Sequence, residues 1–313
     1  MVKGPWMAVL AAGCAAACGT QTELGGGAAN LPDRGAAGFD GEAEVALDIE
    51  AGNPLGATVA PTSDGGWWML AGRIRGGCLG SAHSEDGVAF APDEPPEWAC
   101  PEAAWEGSSL RDPSVVMDGE RVLVWHGLGS GAGIGLLAAD SAGAAPIRLD
   151  EPVLLPEAAW EDGRIEEPTV VRDPDGGGFV MLYSGGRGAG IGRAVSDDGR
   201  SWRREPVDAP ILSPTADGES FDTAGVLAPF VRRSVSPLGR AQWDLWYVGK
   251  GATGGLALGF AGSFDGRAWS RHPFNPVIDD SVRPGGPWVA EVPAGTALYL
   301  NSAELGITVR IRP

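Results

Sequence analysis

The sequence predicts an all-β fold, a five-bladed β-propeller of four-stranded antiparallel blades. Three observations carry that expectation. One phrase is written twice, PEAAWEGSSLRDPSVV over 101–116 and PEAAWEDGRIEEPTVV over 156–171, 55 residues apart. A second signature, S-x-D-G-x-x-aromatic, recurs at 84–90, 196–202 and 263–269, and its Asp-Gly step supplies the left-handed backbone of a tight hairpin. Almost nowhere is a 3.6-residue apolar period sustained, and 50 glycines and 25 prolines are spread along the chain, so helices are expected to be few.

The units follow in order. The first is GATVAPT, GGWWMLAGR and CLGSAHSEDGVAF, three β-rich segments parted by Gly and Asp turns. The second runs RDPSVVMDGE, RVLVWHG and GIGLLAAD, with a decayed hairpin over 139–146. The third is EEPTVVRDPDGGG, FVMLYSGG and GIGRAVSDDGRSW, and the fourth is GVLAPFVRR, QWDLWYVGKG and LALGFAGSFDGRAW. The fifth, PWVAEVPAG, TALYLNSA and LGITVRI, stops without a hairpin or a fourth strand. The segment AEVALDIE over 43–50 is expected either to complete that last sheet or to lead into unit one. Five meanders at a period of about 50 to 67 residues describe a propeller better than a sandwich, and solenoid repeats are shorter and more regular. The aromatic that follows each Asp-Gly turn is expected to pack between neighbouring units.

The first residues are not read as fold. Lys3, an apolar run over 6–12 and LAAGC ending at Cys14 resemble a bacterial lipoprotein signal, with Cys14 as the lipidated residue and Cys18 as a competing site. The chain is thus divided into a signal over 1–18, a Gly- and Ala-rich tether over 19–41, and the propeller over 42–313. No later stretch reaches the roughly 18 apolar residues of a membrane span, so a membrane is expected only through the N-terminal lipid. The protein is expected to be exported, periplasmic or at the cell surface, and monomeric. With 41 acidic and 23 basic residues and a net charge of −18, a nucleic-acid partner is disfavoured, because phosphate binding needs a basic face. Cys78 and Cys100 remain as an even pair in an oxidising compartment and are expected to form one disulfide. No histidine stands at ligand spacing from them, so neither a metal nor another cofactor is expected. GSGAGIG and GGRGAGIG look like phosphate loops, yet they sit between strands rather than before a helix, which disfavours nucleotide binding.

In a propeller the first strand of each blade lines the central funnel, so Asp112 and Glu166 or Glu167 should converge there. A carboxylate pair in a sugar-sized cleft is what glycoside hydrolysis requires: one group protonates the leaving oxygen, the other attacks or activates water. On these residues the chain resembles the five-bladed propeller glycosidases, glycoside hydrolase families 32, 43, 68 and 130. The likeness covers nearly the whole mature chain in blade rhythm and is sharpest in two motifs. Arg111-Asp112-Pro113 is similar to the RDP of the β-fructosidases, whose Asp holds sugar hydroxyls. Glu166-Glu167-Pro168 resembles the E-C-P or E-G-P whose first Glu is the general acid, which implies that role for Glu166.

The repeat itself instead sets Glu167 opposite Asp112, and neighbouring strand residues point to opposite sides. The families' blade-one Asp has no clear counterpart, since EAGNPLGATV offers Asn53-Pro54, with Asp48 and Glu50 the nearest acids. Asp112 could itself be the base, and Asp222 is another expected funnel acid. Arg111, Asn53, Trp105, Trp160, His126 and Asp222 are candidate substrate contacts. Trp105 and Trp160 could equally be packing between blades, His126 a loop histidine with no chemical role, and RDP a structural motif. Two function classes are compatible with this pattern: a glycosidase acting on a furanosyl or related linkage, and a catalytically inactive propeller that binds carbohydrate or a protein.

Overall fold

The computed structural model describes residues 39, 43–47, 54–236, 238–281, 283–302 and 306–312. The expected signal, Cys14, most of the tether, Asp48, Glu50 and Asn53 lie outside the described residues. Blade one is β2 (Ala57–Pro61), β3 (Trp67–Ala71), β4 (Leu79–Ser84) and β5 (Ala91–Ala99). Blade two is β6 (Leu110–Asp118), β7 (Arg121–Leu128), β8 (Ile134–Ala139) and β9 (Ile147–Arg148). Blade three is β10 (Ile165–Arg172), β11 (Phe179–Gly185), β12 (Gly190–Ser196) and β13 (Arg203–Arg204). Blade four is β14 (Gly225–Val235), β15 (Ala241–Lys250), β16 (Leu256–Ser263) and β17 (Ser270–Arg271). Blade five takes β18 (Gly285–Val292), β19 (Gly295–Ser302) and β20 (Gly306–Arg312) and adds β1 (Glu44–Leu47) as its outer strand, in the order β1-β20-β19-β18. The described part of the AEVALDIE segment, up to Leu47, therefore completes the last sheet, and β1 closes the ring. Helix among the described residues is confined to single 3-10 turns.

The innermost strands pack in a closed circuit, β2 on β6, β6 on β10, β10 on β14, β14 on β18 and β18 back on β2. The repeated Pro-Ser/Thr-Val run explains part of that circuit. Thr58 Oγ1 accepts from the Val115 amide at 3.1 Å, and Ser114 Oγ accepts from Val170 at 2.8 Å. Thr169 Oγ1 does the same for Val231 at 3.4 Å. A hydroxyl at this position of one blade thus satisfies a buried amide of the next, where an unpaired group would be costly.

The S-x-D-G hairpins lie at the opposite end of the blades from the strand starts. In the blade-three copy Asp198 accepts from the Arg200 and Ser201 amides, both at 2.8 Å, and Ser196 Oγ accepts from the Gly199 amide at 2.8 Å. Those backbone donors hold the Asp198 carboxyl down to about 2. The seam between blades two and three is made by aromatics from both. Trp202 meets Trp125 edge-on with centroids 6.0 Å apart, and Trp125 Nε1 donates to the Gly199 carbonyl at 2.9 Å. At the closing seam Tyr299 donates to the Gly87 carbonyl and packs edge-on against Phe90. Cys78 and Cys100 are disulfide-bonded with Cα atoms 4.1 Å apart, one just before β4 and the other just after β5.

Candidate functional site

The funnel is narrowed by a repeated defect. Ladder register breaks between Arg111 and Ser114 in β6, Glu166 and Thr169 in β10, Leu227 and Phe230 in β14, and Gly285 and Trp288 in β18. Each break holds a residue in left-handed backbone, Asp112 (φ 49), Glu167 (φ 55), Ala228 (φ 48) or Gly286 (φ 49), and each is followed by a proline. Proline has no amide to donate, so the ladder bulges there and aims the preceding side chain toward the axis. In blade one the equivalent residue is Gly56 (φ 73), directly before β2. The blade-one bulge position is thus a residue with no side chain. The five bulge residues and those that follow them line an axial pit of about 30 Å³. That is room for about one water, whereas ligand pockets run to roughly 300–1,000 Å³.

Gly56 is glycine for two reasons. Its backbone is left-handed, and a Cβ there would lie 2.5 Å from Asp112 Cα and 2.9 Å from Asp112 Oδ1. Asp112 therefore leans into the space where a blade-one side chain would stand. Gly286 closes the other side, because a Cβ there would come within 3.0 Å of Gly56 Cα.

The three funnel carboxylates are brought together but differ in state. Glu166 is clamped by two guanidiniums: Arg164 Nε donates to Oε1 at 2.7 Å and Nη2 to Oε2 at 2.8 Å, while Arg111 Nη2 donates to Oε2 at 2.9 Å. Burial pushes its pKa up, and the Arg164 and Arg111 contacts overcome that push and hold Glu166 below the ordinary range, ionised. Glu167 accepts instead from Ser184 Oγ at 2.6 Å and from the Ala228 amide at 2.8 Å. Burial, then the charge of Glu166, raises its pKa. Asp112 is raised well above the usual carboxylate range, by burial first and by Glu167 second. A Cβ on Gly127 would lie 3.5 Å from Asp112 Oδ2 and 3.7 Å from the Glu167 amide nitrogen, so the two bulges adjoin. Asp112 and Glu167 are equivalent in the repeat, and Glu166, next along the strand, turns to the arginines.

The other expected contacts have structural surroundings. Asp222 does not line the funnel. It is fully buried, 2.8 Å from Arg271 Nε on β17, and accepts from Tyr247 Oη at 3.0 Å. It is the blade-four form of a repeated device. Glu161 pairs with Arg204 on β13 at 2.8 Å and accepts from Tyr183 Oη at 2.7 Å, and Glu106 pairs with Arg148 on β9 at 2.6 Å. Each buried acid, from the loop before an inner strand, thereby fixes that loop to the outer strand of its own blade. His126 corresponds by register to Tyr183 and Tyr247. It is fully buried, and burial lowers its pKa to about 4, so it is neutral. Trp160 stacks over Tyr183 at 6.1 Å and presses on Gly185, Phe221 takes the same place against Tyr247 at 5.8 Å, and Trp105 is their blade-two copy. Both tryptophans therefore pack within their own blade rather than stand in the funnel. Arg111 reaches the funnel, held by the Leu128 carbonyl at 3.0 Å as well as by Glu166.

Sequence reasoning missed Gly56, Arg164 and Ser184. Arg164 was signalled only by its spacing of two from Glu166, and Ser184 could be found only through strand register.

No protein-family model matches the chain, and no curated protein matches it. Solved structures do. An endo-arabinase from Bacteroides thetaiotaomicron superposes with a TM-score of 0.62 at 14% identity, over 85% of this chain and 95% of that one. A thermostable family-43 glycoside hydrolase gives 0.57 at 15%, over 83% and 88%. A glycosyl hydrolase from Bacteroides ovatus gives 0.61 at 19%, over 84% and 85%. The likeness is one of fold: the chain is a five-bladed β-propeller of the form that these glycoside hydrolases adopt.

Proposed function

We propose that this protein is a carbohydrate-binding propeller built on the glycosidase form, with no hydrolytic pair assembled among the described residues. The observation that carries this reading is Gly56, the one bulge position where the resemblance calls for a nucleophile or base, with Asp112 leaning into the space beside it. A glycine neither activates water nor forms a glycosyl ester. Two further observations agree with it. Glu166, in the general-acid position of the resemblance, is held ionised between Arg111 and Arg164, and a proton donor needs the opposite shift. The pit admits about one water, so a sugar would lie across the mouth rather than enter the axis. Furanosyl or related saccharides are the proposed ligands, in keeping with an endo-arabinase among the structures of the same fold. We further propose, on the sequence alone, that the chain is exported, tethered through a lipid on Cys14, and monomeric.

One observation favours a second reading. Asp112 and Glu167 adjoin and are both pushed toward the protonated form, and such a pair could divide the roles of acid and base. The test reads binding and turnover on one sample: affinity electrophoresis through a panel of polysaccharides, with release of reducing sugar and of aryl aglycone measured in parallel. Retardation without release is expected. Release that is abolished by Glu167→Gln or Asp112→Asn would establish the second reading, and neither retardation nor release on any saccharide would remove the first.

A further inference from the structure

We infer that the rim of the funnel takes the acidic group of an anionic carbohydrate, a uronate-bearing oligosaccharide, through Arg73, Arg187, Lys250 and Arg283; this rests on the carbohydrate-binding reading above. The topology sets these four residues at the mouth. Each innermost strand begins there, so the turn between second and third strands and the segment leading into the first strand share that end. Arg73 follows β3, donates its amide to the Leu110 carbonyl at 2.8 Å, and lies in electrostatic reach of Asp112. Arg187 stands between Gly186, whose amide binds the Arg164 carbonyl at 3.1 Å, and Gly188, whose carbonyl accepts from Val226 at 3.0 Å. Lys250 ends β15, and its carbonyl holds the Ala224 amide at 2.8 Å. Arg283 precedes the blade-five bulge at the place that Arg164 occupies before the blade-three bulge.

Charge and backbone both single these residues out. All four are exposed, and none forms an ion pair among the described residues. Inside them, one carboxylate, Glu166, sits between two guanidiniums and leaves a positive charge over, while Asp112 and Glu167 are pushed toward their neutral forms. Some acids of the loops before the inner strands are neutralised, whereas the exposed Asp162, Asp217, Glu219 and Asp280 form no ion pair among the described residues. Glu161 and Asp222 are paired with arginine, and Asp217 is turned onto its own loop by Ser220 and Glu219. In a chain of net charge −18, four basic residues without an ion pair thus gather where the funnel opens, and such points of positive charge favour the acidic group of a bound polymer.

The backbone adds an independent point. Seven non-glycine residues of the described chain have left-handed φ, and five of them are Arg73, Asp112, Glu167, Arg187 and Arg283. Glycine would adopt these turns at less cost, and non-glycine residues held there cluster at ligand sites. Arginine's planar fork matches a carboxylate bidentately.

The test titrates the full chain with oligogalacturonate, oligoglucuronate and oligomannuronate, each beside its methyl ester, and with a neutral arabino-oligosaccharide. At least one free acid should bind at least tenfold more tightly than its ester, and its affinity should fall as salt rises. The Arg73→Gln/Arg187→Gln double variant should lose that preference at least tenfold while keeping its melting temperature, and the corresponding lysine variant should retain part of it. Equal binding of acid and ester, or binding of the neutral sugar alone, overturns the inference and leaves the carbohydrate-binding reading in place. Binding of no saccharide overturns both.

Discussion

Gly56 decides more of the chemistry than any charged residue does. Writing Asp at 56, the change that would install a blade-one carboxylate, forces a side chain into left-handed backbone with its Cβ 2.5 Å from Asp112 Cα. Gly56→Asp should therefore cost about 2 to 4 kcal/mol, the range of overpacking and backbone strain together, and should gain no activity; denaturant unfolding of the variant checks the first part. His126 offers a pH test. Its folded pKa of about 4 lies below its ordinary 6.5, so the unfolded chain binds more protons between those values. Stability should then fall as pH drops from about 6.5 toward 4, by on the order of 3 kcal/mol from this group. In His126→Tyr, which writes the residue that blades three and four use, that part of the pH dependence should vanish, as melting curves across the window would show. Asp112 has the opposite sign. Its raised pKa means that the folded state holds the proton longer, so its contribution is lost as pH rises above the ordinary carboxylate value. Asp112→Asn should stabilise the protein at pH 7 to 8 and do little at pH 4.

At the scale of elements, the blade repeat was legible because each unit rewrites the same local solutions. Asp-Gly hairpins announce themselves by composition, and the Pro-Ser/Thr-Val run marks the inner strands of blades two and three, whose hydroxyls bind an amide of the next blade. The position of the acids was legible only in part. The repeat set Glu167 opposite Asp112, and the structure keeps that equivalence at the bulges, but which carboxylate is clamped by guanidiniums depends on Arg164 and Ser184, partners named by register and not by motif. Asp222 looked like a funnel acid because it precedes an inner strand, as Glu106 and Glu161 do. Its burial on Arg271 needs an outer strand whose pairing the sequence does not display. The disulfide is a clearer element-level feature. It closes a separation of 22 residues, and its loss in Cys78→Ser/Cys100→Ser should cost about 3 kcal/mol in the chain-entropy model, seen as a lowered unfolding midpoint that reductant no longer changes.

At the scale of the whole molecule, the described residues form a ring closed by β1. β1 supplies the outer strand of blade five, pairing Glu44 with Val309, Val45 with Thr308 and Leu47 with Ile307. Leu47 is 2% exposed, so Leu47→Ala should cost about 2 to 5 kcal/mol and leave the edge of β20 prone to pair with another chain. β1 runs toward the mouth, which puts the preceding chain at the opposite end, where Phe39 is buried against blades four and five beneath Arg312. The central claim, that this mouth binds sugar without an assembled hydrolytic pair, is tested most directly with glycosyl fluorides, which need little help from an acid and still require a base or nucleophile. With arabinofuranosyl and pyranosyl fluorides at high protein concentration, fluoride release should match the buffer rate for wild type, Glu166→Gln and Glu167→Gln alike. Release above buffer that Glu167→Gln or Asp112→Asn abolishes would contradict the account.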